Sequence, residues 1–474
     1  MKVVHVPFGY YPDVVGGTEV YVAGLARGLR ARGVESVVAA PAHESLGAAR
    51  YDHDGTPVYR FPMSPAATVE DVYGDGDERA ASAIAATLDD ARADVLHLHA
   101  FTRAASLRAA RAARQQGVPV VFTYHTPTAS CVRGTLLRDG HLPCDGALIA
   151  QRCTACLLEG HGVPLAAREI LSRAPTLLGA AVAAAGVTGK AATALRAREL
   201  TAARHDAFRA LLSEASAIVA VCEWVRALLI RAGADPSRLM LSRQGTPARA
   251  PNVTTTRAPG DALRVAFMGR LHPTKGLHVV LGALAADRQL AVEVDVFGVV
   301  QDAEGERYRD QLRVIAGGDP RVRFRTPVQS DHVVDTLARY DVTAVPSQWL
   351  ETGPLTVLES FAAGVPVVGS NLGGIAELVS HDRDGWLVPY ADQAAWGSAL
   401  GRLAGDRALV ERLRRGVRRP RSTDDVARDM VSVYESVVPR ATRRAFNMSP
   451  GVTSLANGAT SATGSTMGTM AGAP

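Results

Sequence analysis

Short β-rich runs alternate with helical segments along this chain, and the alternation stops and restarts once. No other feature constrains the fold as much, because strands separated by helices pair in parallel through βαβ crossovers. Met1–Pro7 reads as the first strand. A loop carrying Gly16-Gly17 follows, then Thr18-Glu19 and the apolar positions Val20, Leu25 and Leu29 of a helix. Val34–Ala40, Asp94–His99 and Val118–Tyr124 read as further strands, with a helix over Ala104–Gln116. Thr246–Asp261 (TPARAPNVTTTRAPGD) breaks the rhythm and reads as a linker. Beyond it Leu263–Met268, Val292–Phe297, Arg321–Arg325, Val342–Pro346 and Val365–Gly369 read as strands, with a helix over Gly276–Ala286. The expectation is two α/β halves joined by a linker. A ligand would sit in the cleft between them, facing the C-terminal ends of strands from both.

Composition narrows the function classes. With 474 residues, 47% of them hydrophobic, and a net charge of only +5, the chain is neither disordered nor a typical nucleic-acid binder. Its basic residues form one short run, Arg407–Arg421, so no nucleic-acid partner is expected. Five cysteines are too few for a disulfide scaffold. The opening MKVVHVPFGYYPDVVGG lacks the apolar stretch and cleavage site of a secretion signal. The most apolar segment, Leu177–Val187, falls well short of the ~20 residues that span a bilayer. A cytoplasmic protein with reduced thiols is the expectation.

Chemistry-bearing residues concentrate in the second half. Gly269-Arg270-Leu-His-Pro-Thr-Lys275-Gly276 links a strand to a helix, placing two cations beside the positive end of that helix. Such a loop suits a diphosphate, although taken alone it also reads as a loop with two solvated charges. Further on, Glu351 sits on a Gly/Pro loop and Glu359 eight positions later on the helix that follows. N–H groups at that helix start can take phosphate oxygens. A carboxylate there can accept hydrogen bonds from sugar or ribose hydroxyls. The plainer alternative is a helix with two surface acids.

Together these motifs resemble the retaining family 4 glycosyltransferases of GT-B fold. Glu351…Glu359, with Gly353-Pro354 between and AAGVPVV after, looks like their E-x7-E signature. Gly269-Arg270…Lys275-Gly276 resembles their GR-x4-KG loop, Gly16-Gly17 their N-terminal glycine loop, and Tyr124-His125-Thr126 a TFHT-like segment. Ala220–Arg226 followed by Gln244-Gly245 is similar to the end of their first domain, although the family has Asn-Gly where Gln244-Gly245 stands.

The resemblance implies two Rossmann-like domains facing across a cleft: residues 1–250 on the acceptor side, with an insertion at about 127–212, and residues 262–422 binding the nucleotide sugar. A helix over 423–440 is expected to cross back to the first domain, and the Gly/Ser/Thr/Ala-rich 447–474 to be a disordered tail. The implied partner is a nucleotide-diphosphate sugar, with an acceptor that is a glycolipid, a polysaccharide or a small metabolite. Arg270 and Lys275 would hold the donor diphosphate and stabilise the departing charge, Glu359 would bind the ribose, and Glu351 would face the transferred sugar. The N–H groups near Leu355 and Thr356, behind Gly353-Pro354, would cap the phosphates. His125, Gly16 and Gly17 would approach from the other half. No cofactor is implied for catalysis, because the two cations take the role a divalent metal plays in other glycosyltransferases. A non-catalytic two-domain sugar or nucleotide binder is the rival reading.

Several features lie outside this pattern. His97 and His99 alternate on a strand and share a face; one core and one cleft-lining histidine is favoured over a zinc pair. Asp382-Arg-Asp384 and Asp75-Gly-Asp77 spell D-x-D but read as turns. Cys131, Cys144, Cys153 and Cys156 fall within 26 residues, with spacings x12, x8 and x2. Four reduced thiols ending in C-x2-C read as a structural zinc site or an iron–sulfur cluster, against inert thiols or two disulfides. Cys222 reads as core. The basic run Arg407–Arg421 reads as a solvated helical face or a contact for anionic lipid. Ile170–Leu212, helical and arginine-rich, would cover the acceptor site or rest peripherally on a membrane.

Overall fold

The computed structural model describes residues 1–13, 16–42, 48–246 and 262–439. Its first strands are β1 (Lys2–Val6), β2 (Glu35–Pro41), β3 (Ala49–His53), β4 (Thr56–Phe61), β5 (Val95–Leu98) and β6 (Val120–Tyr124). A small ribbon of β7 (Leu137–Arg138) and β8 (Leu142–Pro143) follows, then β9 (Ala217–Ala220) and β10 (Leu239–Leu241). The second set is β11 (Leu263–Arg270), β12 (Val292–Val299), β13 (Val322–Phe324), β14 (Val342–Val345), β15 (Val367–Ser370) and β16 (Gly385–Val388).

Two sheets result. The first runs β10-β9-β6-β5-β1-β2-β4-β3 and the second β13-β12-β11-β14-β15-β16. Every pairing in them is parallel except β3 with β4 at one edge. Parallel strands need cover on both faces, and β5, β6 and β9 are buried along their whole length. Two apolar clusters line the two faces of the first sheet: one centred on Leu96, Phe122 and Phe208, the other on Val3, Val22 and Leu25. This is the doubly covered, two-domain α/β architecture of the GT-B fold.

Helix Thr423–Val437 follows the second sheet in sequence but packs on the first. Its Val426, Ala427, Met430, Val433 and Tyr434 join the cluster of Val22 and Leu25. The approach is close because helix Gly17–Arg30 offers Gly28, where a Cβ would lie 2.7 Å from that of Ala427. Between β6 and β9 the insertion carries helices Ala150–Gly160, Leu165–Arg173, Thr176–Ala184 and Lys190–Glu214. No helix among the described residues is long and apolar enough to cross a membrane. Nearly all of the expected linker and the whole of 447–474 lie outside the described residues.

Candidate active site

In the second half, β11 ends at Gly269-Arg270. A single 3-10 turn, Pro273–Lys275, leads into helix Leu277–Ala286. Gly276 between them has φ +72°, and a Cβ there would stand 1.8 Å from the Pro346 carbonyl oxygen. Only glycine lets this loop close on the segment after β14. The closure sets Lys275 beside Glu351: Lys275 Nζ donates to Glu351 Oε1 at 2.7 Å, and Ser347 Oγ donates to the same oxygen at 2.7 Å. Glu351 is buried. Burial pushes its carboxyl up, but the Lys275 charge and the hydrogen bonds outweigh that and hold it below the ordinary value. Arg270 is half-buried and has no ion-pair or side-chain hydrogen-bond partner among the described residues. One cation of the loop is therefore tied to a carboxylate, while Arg270 is within electrostatic reach of Asp302 and His272 without pairing with either.

Pro354 is the cap of helix Leu355–Ala362, whose first two N–H groups precede the one from Val357 to Pro354 O at 3.0 Å. Thr356 Oγ1 lies 3.4 Å from Met268 O and ties this helix start to β11. Glu359, on the same helix, keeps partial solvent exposure, yet its carboxyl is crowded by protein and has no charged partner. Loss of water pushes its pKa up to about 7.

The glycine loop of the first half faces this helix. A side chain on Gly17 would come 3.6 Å from Leu355 Cδ1. Buried Glu19 shapes the loop by accepting from Gly16 N at 2.8 Å and Gly9 N at 3.3 Å. His125 stands at the end of β6. Its Nε2 lies 3.1 Å from His99 Nδ1, and its Nδ1 lies 3.5 Å from Gln244 Nε2. His99 continues to His5 at 3.0 Å, and His5 to Ser36 Oγ at 3.3 Å. Burial holds the pKa of His125 and His5 down to about 3, so both imidazoles are neutral. His125 is thus a hydrogen-bonding group and a poor proton acceptor at neutral pH.

The halves also touch directly. Thr352 Oγ1 donates to His125 O at 2.6 Å, and Trp224 Nε1 donates to Glu351 O at 2.9 Å. Glu377 accepts from the N–H groups of Glu223 (2.9 Å) and Trp224 (2.8 Å) at the start of helix Glu223–Arg231, and pairs with Arg243 at 2.7 Å. The Gln244 amide fills the space a side chain on Gly353 would need, 2.8 Å away, and Gly245 passes so close to Ser422 O that a Cβ would lie 2.4 Å from it. Gln244 therefore fills the seam against Gly353, and Gly245 lets the chain pass the start of helix Thr423–Val437.

The sequence named Arg270, Lys275, Gly353, Pro354, Leu355, Thr356, Glu351, Glu359, Gly16, Gly17 and His125; the structure brings Lys275 to Glu351, Gly17 to Leu355, Gly353 to Gln244 and the His125 carbonyl to Thr352, while Arg270, Pro354, Thr356, Glu359 and Gly16 stand on the elements that carry these contacts. The sequence missed Glu19, Ser347, Trp224, Arg243 and Glu377. Only Glu19, three positions after the cap Gly16, carries a local signal, that of a capping box. The expectation of one cleft-lining histidine in His97–His99 needs correction. Both are buried, and His99 reaches the cleft only through His125. His5, His97 and His99 do bring three ring nitrogens within 4.8 Å. Each of those nitrogens lies within hydrogen-bond distance of another of them or of Ser36, Thr123, Tyr434 or His125. Asp77 caps helix Glu78–Ala91, and Asp384 accepts from Ser380 N, so both D-x-D sequences are structural. In the basic run, Arg412 pairs with Asp382, Arg414 donates to Tyr340 O and Arg421 pairs with Asp429. Cys222 is buried, while Cys131, Cys144, Cys153 and Cys156 are half-buried free thiols in the insertion.

Two parallel-sheet domains closing on two cations, a helix start and a glycine loop define the glycosyltransferase class of GT-B fold. The family model described as "Glycosyl transferase 4-like domain" matches residues 16–243, and that described as "Glycosyl transferases group 1" matches residues 262–406. The chain belongs to this glycosyltransferase family. It is 33% identical over 241 residues to the D-inositol 3-phosphate glycosyltransferase of Salinispora tropica, covering 46% of this chain and 50% of that protein. It is 34% identical over 183 residues to the protein of the same name from Jonesia denitrificans, covering 36% and 42%. The chain thus spans about half the length of the curated relatives it matches. Among solved structures it resembles Anabaena HepE in complex with UDP and glucose (TM-score 0.60, 17% identity, 92% of this chain and 100% of that one). Sucrose-phosphate synthase of Thermosynechococcus elongatus is similar too (TM-score 0.61, 18% identity, 95% and 100%). At such identities the likeness shows the fold.

Proposed function

We propose that the chain transfers a sugar, with retention at the anomeric carbon, from a nucleotide-diphosphate sugar to an acceptor hydroxyl. The observation that carries this reading is the loop after β11, which holds Arg270 and sets Lys275 on Glu351, together with Gly17 of the first half meeting Leu355 at the start of helix Leu355–Ala362. The diphosphate lies between the two cations and the free N–H groups of Leu355 and Thr356, where negative charge grows as the leaving nucleoside diphosphate departs. Glu359 takes the ribose hydroxyls. Glu351, held by Lys275 and Ser347, orients the transferred sugar. Charge-paired in this way it is a weak nucleophile, which favours front-face attack with the leaving phosphate accepting the acceptor's proton. Solved relatives of the fold hold UDP, which supports a uridine donor without fixing the sugar. The test is incubation with a panel of UDP-, GDP- and ADP-sugars, reading free nucleotide and the configuration of the released sugar. Turnover of one donor with retained configuration supports the reading; binding of a donor with no hydrolysis and no transfer to any acceptor favours the rival binder.

A peripheral contact with an anionic lipid surface belongs to the same proposal. Leu165, Ile170 and Leu177, on helices Leu165–Arg173 and Thr176–Ala184, are 62%, 71% and 79% exposed, with Arg168 and Arg173 beside them. Exposed apolar side chains among arginines fit the headgroup boundary of a bilayer. Co-sedimentation with anionic vesicles tests it, and Ile170→Ser with Leu177→Ser should abolish it.

A further inference from the structure

Five buried polar groups stand in one line: Gln244, His125, His99, His5 and Ser36. Gln244 Nε2 lies 3.5 Å from His125 Nδ1, and His125 Nε2 lies 3.1 Å from His99 Nδ1. His99 Nε2 lies 3.0 Å from His5 Nδ1, and His5 Nε2 lies 3.3 Å from Ser36 Oγ. The fold sets this order. Ser36 and His5 lie on β2 and β1, while His99 and His125 directly follow β5 and β6, and these four strands are neighbours in the first sheet. His97 stands outside the line, because its nitrogens face Tyr434 and Thr123.

Each of the three rings turns one nitrogen to each neighbour. Burial holds their pKa values down, those of His125 and His5 to about 3, so every ring is neutral at pH 7. A neutral imidazole has one N–H and one bare nitrogen. A hydrogen bond between two rings needs one proton. Two facing N–H groups repel, and two bare nitrogens do not bond; inside a sealed core either arrangement leaves polar groups unsatisfied. The protons therefore run in one direction along the line, and the three rings share one tautomer, all Nε2–H or all Nδ1–H.

Gln244 selects between the two. With Nε2 towards His125 it donates to a bare Nδ1, which belongs to the Nε2–H state, and its Oε1 has no partner. The reverse orientation would leave both amide N–H bonds without an acceptor, and enclosed N–H groups are the rarer orphans. The Gln244 contact is also the longest of the four, and it lies at the seam beside Gly353. It is the link that a hydroxyl entering the cleft can replace.

We propose that His99, His5 and Ser36 are positioning residues that hold His125 in the tautomer with a bare Nδ1, so that His125 offers an acceptor to a sugar hydroxyl. The hydroxyl rests on the proposed function; the shared tautomer does not, and it is read on the protein without donor.

Two-bond 1H–15N spectra of full-length protein labelled in its histidines report which nitrogen of each ring carries the proton. His125, His99 and His5 should all carry it on Nε2. In His5→Phe the His99 Nε2–H would have no acceptor, so the line should reverse and put the His125 proton on Nδ1, two links away from the substitution. His5→Asn, whose amide oxygen can stand where Nδ1 stood, should keep the wild-type tautomer. With a donor that is turned over, His5→Phe should raise its KM by ~3–10-fold at unchanged kcat, and His5→Asn should not. A wild-type His125 proton on Nδ1, or mixed tautomers among the three rings, overturns the proposal. So does a folded His5→Phe protein whose His125 proton stays on Nε2, or one whose line reverses at unchanged donor KM. If His5→Phe does not fold, the wild-type tautomers alone decide. Shared Nε2–H tautomers in a protein that turns over no donor would uphold the line and count against the donor assignment.

Discussion

Glu359 makes a pH-dependent prediction that can be worked through. In the free protein its carboxyl is pushed up to about 7 from an ordinary 4.5, because surrounding atoms strip it of water and no cation compensates. In the proposed function Glu359 accepts from two ribose hydroxyls as a carboxylate, and hydrogen bonds to the charged form return its pKa towards the ordinary value in the bound state. Donor binding must then expel a proton over the window from about 4.5 to about 7. The sign follows: affinity rises with pH through that window and levels off above it. With those two values the ionised fraction of the free protein is ~3% at pH 5.5 and ~90% at pH 8, so the donor Kd should weaken roughly 25-fold at the lower pH, or ~2 kcal/mol. Near pH 6 about 0.9 proton should be released per donor bound. The diphosphate of a nucleotide sugar has no ionisation in this range, and His125 and His5, held down to about 3, stay neutral across it. Calorimetry of the donor in buffers of differing ionisation heat reads both quantities directly. Glu359→Gln should bind weakly at every pH with the slope and proton release removed. A wild-type Kd that is flat from pH 5.5 to 8, or a slope that survives in Glu359→Gln, refutes the reasoning. The same shift makes the free protein lose stability as pH rises through this window, since the native state holds the proton that the unfolded chain has already released.

The two cations of the donor loop should separate. Arg270→Ala should slow transfer by ~10²-fold or more at unchanged Tm, because Arg270 serves no protein partner; wild-type turnover would remove it from the site. Lys275→Ala should slow transfer comparably and also lower the Tm, since it leaves the buried Glu351 carboxylate without its cation at a cost of ~1–3 kcal/mol. Adding Glu351→Gln should restore Tm but not turnover, and a Lys275→Ala protein as stable as wild type would contradict the ion pair. Gly276→Ala, which drives a methyl group onto the Pro346 carbonyl at a φ of +72°, should abolish donor binding and lower Tm steeply. Gly33→Ala, at the same φ with nothing within 4 Å, should cost only ~1 kcal/mol; similar losses in the two would refute the close-approach argument. Brief treatment with EDTA should leave transfer intact, and a prompt loss that Mg²⁺ restores would show that the cations are not sufficient.

What the sequence displayed was local. A glycine between a strand and a helix, two cations five residues apart, and two carboxylates eight apart are read within one window, and the structure brings one of those cations, Lys275, onto one of those carboxylates, Glu351. Most strands of the two sheets were legible for the same reason, but β3, β4, β10 and β16 were not read. β3, ARYDH, alternates half-buried and exposed positions and lacks β-branched residues, so its antiparallel pairing with β4 was not visible. What the sequence concealed was long-range. His97 meets Tyr434 across 337 residues, His5 meets His99 across 94, and Glu377 caps a helix 154 residues earlier. The basic run hid its role differently. Its helix Arg407–Gly416 buries Leu409, Val410 and Leu413, while its arginines reach carboxylates and carbonyls that only the fold supplies.

The cross-cleft contacts bear on how the site works. Glu351, Thr352 and Gly353 are three consecutive residues, and each meets the first half: the Glu351 carbonyl takes Trp224, the Thr352 hydroxyl reaches the His125 carbonyl, and Gly353 gives way to the Gln244 amide. The Glu351 side chain meanwhile holds Lys275. The segment proposed to carry the chemistry is therefore also part of the seam between the domains, so a shift of one half against the other would disturb contacts at Glu351. Such a movement would change the Lys275–Glu351 pair and with it the charge offered to the diphosphate. On the proposed function this arrangement would tie the strength of the electrostatic site to closure of the cleft. Full stabilisation of the leaving group would then coincide with the geometry in which water is excluded, and in a water-poor cleft the same charges act more strongly.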